Sequence, residues 1–192
     1  MNRVYEKNKQ KYIEGYASRF NVRSKLLFED NESFYEIIRP NSFDNVLKSK
    51  DIDCRCTYNH DWNTLLGRYV KQNGIIKCDT LKLWTDKLGL KFRVDVNETT
   101  LSNDIYQNIL LKNLFENSFQ FSVNKNDVKR YYEKNVLIKE ISNISGLFDV
   151  SICVNGAYPE TYLSIGNNES RNNNSINSNI SYYRRKLELL KK

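Results

Sequence analysis

A serine, a histidine and an acid lie on three separate stretches of this chain, each in a setting where it can do chemistry. Over 115–123, strict alternation sends Phe115, Phe119 and Phe121 to one face and Glu116, Ser118, Gln120 and Ser122 to the other. A phenylalanine face is a core face, so Ser118 and Ser122 are presented on a rigid element, pointing away from the core. Over 147–154, the same period turns Phe148, Val150, Ile152 and Val154 inward and leaves Asp149, Ser151 and Cys153 opposite. The one histidine of the chain, His60, sits in Tyr58-Asn59-His60-Asp61, where a strand meets a turn. A serine hydroxyl becomes a useful nucleophile when a base removes its proton, and the base needs a third group to fix its tautomer and stabilise its charge. Ser118, His60 and Asp149 supply those three types. Ser122 is the rival hydroxyl, Glu140 the rival acid, and Cys153 a thiol alternative. Composition alone brings none of them together.

Cys54, Cys56, His60 and Cys78 include zinc-ligand types, but Cys-x-Cys-x3-His followed by a distant cysteine fits no common structural zinc pattern. Cys54 and Cys56 share one face of a strand, where a free thiol behaves as a small hydrophobe. No metal and no cofactor is expected.

These groups need rigid elements to hold them, and the periodicity predicts mostly strands. Strands are expected over 11–20, 25–28, 33–39, 51–59, 68–72, 74–83, 91–96, 115–123, 136–141 and 147–154. A turn is expected at 61–67, and a short helix capped by Ser42 running through Lys48. Residues 100–114 switch to helical period, with Ile105, Ile109 or Leu110, and Leu114 on one side. Ser102 or Asn103 is the expected cap there, with Asn113 left-handed at the far end. The fold class is α+β, mainly β and antiparallel, with a central helix and one or two more.

The 192 residues suffice for one cored domain, and 40% apolar residues with two prolines make a globular composition. The net charge of +7 sits at the ends: +3 over residues 1–12 and +4 over 181–192, leaving a neutral body. A nucleic-acid groove needs its cations in the folded part, so weak contact by the basic termini is the most expected of nucleic acid. No signal peptide and no membrane span is read, and the four cysteines are expected as free thiols in a reducing compartment. The organisation expected is a basic lead-in over 1–11, one domain over 12–165, an Asn/Ser-rich linker over 166–180 and a short basic helix over 181–192.

The order of several short stretches narrows the reading. Glu14-Gly15-Tyr16-Ala17 opens the domain and Arg39-Pro40-Asn41-Ser42-Phe43 follows. Next come Tyr58-Asn59-His60-Asp61 with Leu66-Gly67-Arg68, then Asn117-Ser118-Phe119-Gln120-Phe121, then Leu147-Phe148-Asp149-Val150-Ser151-Ile152 ahead of Ala157-Tyr158-Pro159. This series resembles the prohead (capsid maturation) serine protease family of tailed bacteriophages, distant relatives of the herpesvirus assemblin proteases. The likeness covers about residues 12–163. It implies His60 as general base, Ser118 as nucleophile and Asp149 as the orienting acid, with Ser122 and Glu140 as the alternatives.

The chain departs from the family pattern at several points. Asp149 replaces a glutamate, Asn41-Ser42 stands for Gly-Ala, Gln120 for a glycine and Gly156 for a proline. The resemblance further implies an assemblin-like antiparallel β-barrel. Its activity would be that of an endopeptidase cleaving scaffold, the scaffolding segment of the major capsid protein, or both, inside the prohead in the host cytoplasm. Self-cleavage and homo-oligomerisation are left open. The alternative is an inactive capsid- or scaffold-binding domain of the same fold.

Overall fold

Residues 11–159 and 161–167 are described by the computed structural model, and strands make up most of them. The strands are β1 (Lys11–Arg19), β2 (Leu27–Glu29), β3 (Glu32–Ile38), β4 (Ile52–Tyr58), β5 (Asp61–Gln72), β6 (Ile75–Asp79), β7 (Leu81–Thr85) and β8 (Gly89–Asp95). They continue with β9 (Glu116–Ser122), β10 (Val128–Glu133), β11 (Val136–Ile141), β12 (Gly146–Cys153) and β13 (Leu163–Asn167). Two helices, α1 (Asp44–Lys48) and α2 (Thr100–Leu110), interrupt them. Lys11 of the expected lead-in belongs to β1 and the first two residues of the expected linker to β13; the rest of both, and the basic end helix, lie outside the described residues.

The fold is mainly β, as the periodicity implies, but its ladders make three open sheets and no closed barrel among the described residues. Their strand orders are β13-β1-β8-β7, β10-β11-β3-β2 and β6-β5-β4-β12-β9. Most pairs are antiparallel; β3 with β11 and β4 with β12 run parallel. One apolar core unites the sheets, including Ile13 and Ala17 of β1, Leu90, Phe92 and Val94 of β8, Ile38, Phe119, Val150 and Ile152. In β8, residues 90, 92 and 94 are at most 1% exposed, so a truncation such as Phe92→Ala costs about 3–5 kcal/mol.

Local chemistry moves several expected boundaries. Residues 61–67 form the first part of β5, and the turn falls one step earlier, at Asn59 and His60. Ser42 does not cap α1: Phe43 occupies the cap position without a side-chain bond, and the buried Ser42 hydroxyl has no partner among the described residues. At α2 the cap is Thr99, whose hydroxyl accepts from the Ser102 N–H, in place of Ser102 or Asn103. Ile109 turns inward where Leu110 remains 47% exposed, and Lys112, not Asn113, takes the left-handed conformation. Strands β10 and β13 arise where no strand was expected.

Candidate active site

The five-stranded sheet carries the chemistry. Its β12 lies between β4, parallel, and β9, antiparallel, and the register sets Ser151 beside Thr57 on one side and opposite Ser118 on the other. Directly opposed residues in such a pair have Cβ atoms roughly 5 Å apart. A register shift between Leu147 and Asp149 changes the phase of β12. Phe148 is therefore thrown outward at 41% exposure and Leu147 is buried, contrary to simple alternation; Val154, past the strand end, is also exposed. Asp149, Ser151 and Cys153 are all buried, so this face of the sheet is covered, not solvated. On β9, Phe119 is the buried aromatic and Asn117 is fully buried, while Phe115, just before the strand, is exposed. The Asn117 side-chain amide donates to the Tyr16 and Tyr162 carbonyls.

His60 occupies a two-residue hairpin turn between β4 and β5, closed by the pairing of Tyr58 with Asp61. Asn59 and His60 have φ of 53° and 60°. This is the twist that a two-residue hairpin wants, and Asn-Gly is its favoured sequence. Histidine in the second position carries left-handed strain of about 1 kcal/mol or more.

From that turn the imidazole meets Asp149. Nδ1 lies 2.6 Å from Asp149 Oδ2. The other carboxylate oxygen accepts from Thr57 Oγ1 at 2.9 Å. Both carboxylate oxygens are thus engaged on a side chain with no solvent exposure, the condition under which a buried charge is tolerated. A carboxylate at Nδ1 fixes the tautomer and turns Nε2 away from the acid, the orientation a base needs. Burial works against charge on the ring, but the Asp149 hydrogen bond and the contact with Cys153, with the fields of both, raise the imidazole pKa to about 9.

Of the alternatives, Ser122 and Glu140 lie elsewhere, whereas Cys153 lies at the ring. Ser122, two same-face positions from Ser118, is opposite Gly146 and bonds to the Ser145 hydroxyl at 3.0 Å. Glu140 belongs to a different sheet. Its carboxylate is held by Arg39 and by the Tyr131 hydroxyl, each at 2.6 Å, and these donors keep it below the usual carboxylate range. Cys153 is 3% exposed and touches the His60 ring. Cys54 and Cys56 are buried in the core, Cys78 contacts the Thr80 hydroxyl, and no cluster of metal-ligand type occurs among the described residues.

Ser118 itself is 7% exposed, and no hydrogen bond ties its hydroxyl to His60 among the described residues. The backbone N–H of Arg68 in β5 is donated to the side-chain hydroxyl of Thr80. Sequence reasoning missed Thr57, the partner of the second Asp149 oxygen. The available signal was a polar β-branched residue three positions before the histidine in an otherwise buried strand.

This arrangement offers a polarised imidazole backed by a buried carboxylate, with a serine one strand away. The chain matches the family described as caudovirus prohead serine protease over residues 2–175. No curated protein sequence matches it. A crystal structure of the KSHV protease in complex with a hexapeptide phosphonate inhibitor aligns with a TM-score of 0.47 at 14% identity, over 82% of this chain. The chain spans 65% of the length of that KSHV chain. By the extent of the family match, the chain belongs to the caudovirus prohead serine protease family.

Proposed function

We propose that this member of the caudovirus prohead serine protease family is an endopeptidase in which Ser118 is the nucleophile, His60 the base and Asp149 the orienting acid. The observation that carries the assignment is the 2.6 Å contact between His60 Nδ1 and the fully buried Asp149 carboxylate. Ser118 is the nearby hydroxyl that the β9–β12 register supports, because it opposes Ser151, whose own hydroxyl bonds the His60 backbone. Ser122 and Glu140 lack any such link to His60.

In the reaction, Ser118 Oγ attacks the scissile carbonyl carbon as His60 Nε2 takes its proton. The imidazolium then gives that proton to the leaving amine, the C–N bond breaks, and an acyl-Ser118 ester remains. Water attacks this ester with His60 again as base, releasing the acid and restoring the hydroxyl. Substrate seats the hydroxyl against Nε2, because catalytic hydrogen bonds commonly tighten only in the occupied site.

The substrates in this reading are scaffold, the scaffolding segment of the major capsid protein, or both, cut inside the prohead assembling in the host cytoplasm. The chain's own tail is a further candidate substrate. Co-expression with the cognate capsid protein tests this: wild type and Ser122→Ala yield shortened capsid protein and Ser118→Ala does not. Continued processing by Ser118→Ala would remove the nucleophile assignment. Lack of processing by wild type would favour an inactive capsid-binding domain.

A further inference from the structure

We infer that Ser151 and Asn59 are positioning residues that staple the left-handed His60 turn onto β12, so that one strand grips this histidine by ring and backbone together. The inference rests on the serine-protease reading above and adds residues to it. A two-residue turn with histidine where glycine is favoured holds a strained shape only if its surroundings over-determine it.

Three hydrogen bonds do so. The Asn59 N–H donates to the Ile152 carbonyl at 2.9 Å. The His60 N–H donates to Ser151 Oγ at 2.8 Å. The Val154 N–H donates to Asn59 Oδ1 at 3.0 Å. The parallel β4–β12 ladder ends at Tyr58 and Ile152, so these bonds carry the pairing past the strand and around the turn.

Proton counting gives Ser151 the central place. A hydroxyl donates once and accepts twice. Thr57 spends its proton on Asp149 Oδ1, and Ser151 donates to the Thr57 carbonyl at 3.2 Å, which leaves Ser151 Oγ free to accept from His60. Ser151 is two residues beyond Asp149 on the same strand face and directly opposite Ser118. Its hydroxyl therefore sets the His60 backbone relative to both the acid that orients the ring and the serine the ring must reach.

His60 is the only histidine in the sequence, so its imidazole titration can be followed by NMR without assignment, separately from any activity. In wild type the ring is expected to titrate near 9, raised by the Asp149 hydrogen bond and the Cys153 contact. Ser151→Ala is expected to move that titration at least one unit towards the ordinary histidine value of about 6.5, as the ring loosens from Asp149. The rate of labelling by a fluorophosphonate, measured above the imidazole pKa so that the ring is neutral in every variant, is expected to fall about 10- to 100-fold.

Asn59 is exposed, so Asn59→Gly tests the staple without disturbing the core: it tolerates the left-handed backbone but loses the acceptor. A smaller shift in the same direction is expected with a matching fall in labelling, and Asn59→Asp, which keeps an acceptor, restores the wild-type labelling rate. If Ser151→Ala does not fold, the two Asn59 variants decide. Unchanged titration and labelling in Ser151→Ala and Asn59→Gly would overturn the staple, as would identical behaviour of the two Asn59 variants. Labelling that persists in Ser118→Ala would instead remove the nucleophile assignment, leaving the imidazole titration to judge the staple.

Discussion

Asp149 and Glu36 are both buried carboxyl groups on strands, at 0% and 8% exposure, yet the protein treats them oppositely. Asp149 faces a titratable ring at 2.6 Å and a hydroxyl at 2.9 Å. Among the described residues, the Glu36 side chain accepts only from the Tyr158 hydroxyl. Burial raises the Glu36 pKa to about 7, against the opposing Tyr158 hydrogen bond and the nearby Lys139 charge. A neutral phenol cannot repay the desolvation of a carboxylate, so Glu36 drifts towards the protonated acid; an imidazole can take up the opposite charge. Burial therefore does not by itself make a carboxyl functional. What separates the candidate site from the structural pair is the partner: an imidazole that can take and return a proton, in place of a phenol.

The largest effect is expected where that partnership is cut. Asp149→Asn should lower peptidase turnover about 10³- to 10⁴-fold, because an amide favours the wrong tautomer of the ring. The imidazole titration should fall from near 9 towards the ordinary value. The same pair gives stability a definite pH window. The folded-state pKa of His60 is raised, so the stabilisation is complete below about 6.5 and is lost as pH climbs through about 9. Chemical denaturation across that range should show the decline in wild type and not in Asp149→Asn.

Glu36→Gln should act on stability alone. Its folded pKa is also raised, so wild type loses stability as pH rises from the unfolded value near 4.5 through about 7. The amide should abolish this loss, a gain of roughly 3 kcal/mol at alkaline pH, with turnover unchanged. Activity lost in Glu36→Gln would break the contrast between the two carboxyls. Cys153→Ala should bring a smaller change, lowering the imidazole titration part of the way because the Cys153 contact helps to hold it up. The smallest effect belongs to Glu140→Gln. Its bonds to Arg39 and Tyr131 lie on another sheet, so melting should report less than about 1 kcal/mol and turnover should not move.

Alternation along the chain was enough to identify most strands, most plainly β8, where residues 90, 92 and 94 are buried and 91, 93 and 95 are half-buried. It failed where the backbone breaks period. The register shift between Leu147 and Asp149 reverses the apparent core face of Phe148, and no residue type there announces it. The turn was misplaced by a few residues because Gly67 reads as a turn residue. In the structure Gly67 instead lets β5 pass close by the Val94 side chain, where a Cβ would lie 2.5 Å from a methyl group. The serine, histidine and aspartate were legible as types and in order. That His60 meets Asp149 and not Glu140 depends on two strands far apart in the chain becoming parallel neighbours, which local periodicity does not encode. Thr57 and the staple at Ser151 were hidden for the same reason: their meaning lies across the ladder.

The central claim is that His60, backed by Asp149, activates Ser118, and a single mapping experiment addresses it. Wild-type protein is treated with a fluorophosphonate and digested, and the modified residue is located by mass spectrometry. The account predicts one adduct, on Ser118, that disappears when His60 is changed to alanine. An adduct on Ser122 or Cys153, or labelling of Ser118 that is indifferent to His60, would contradict it.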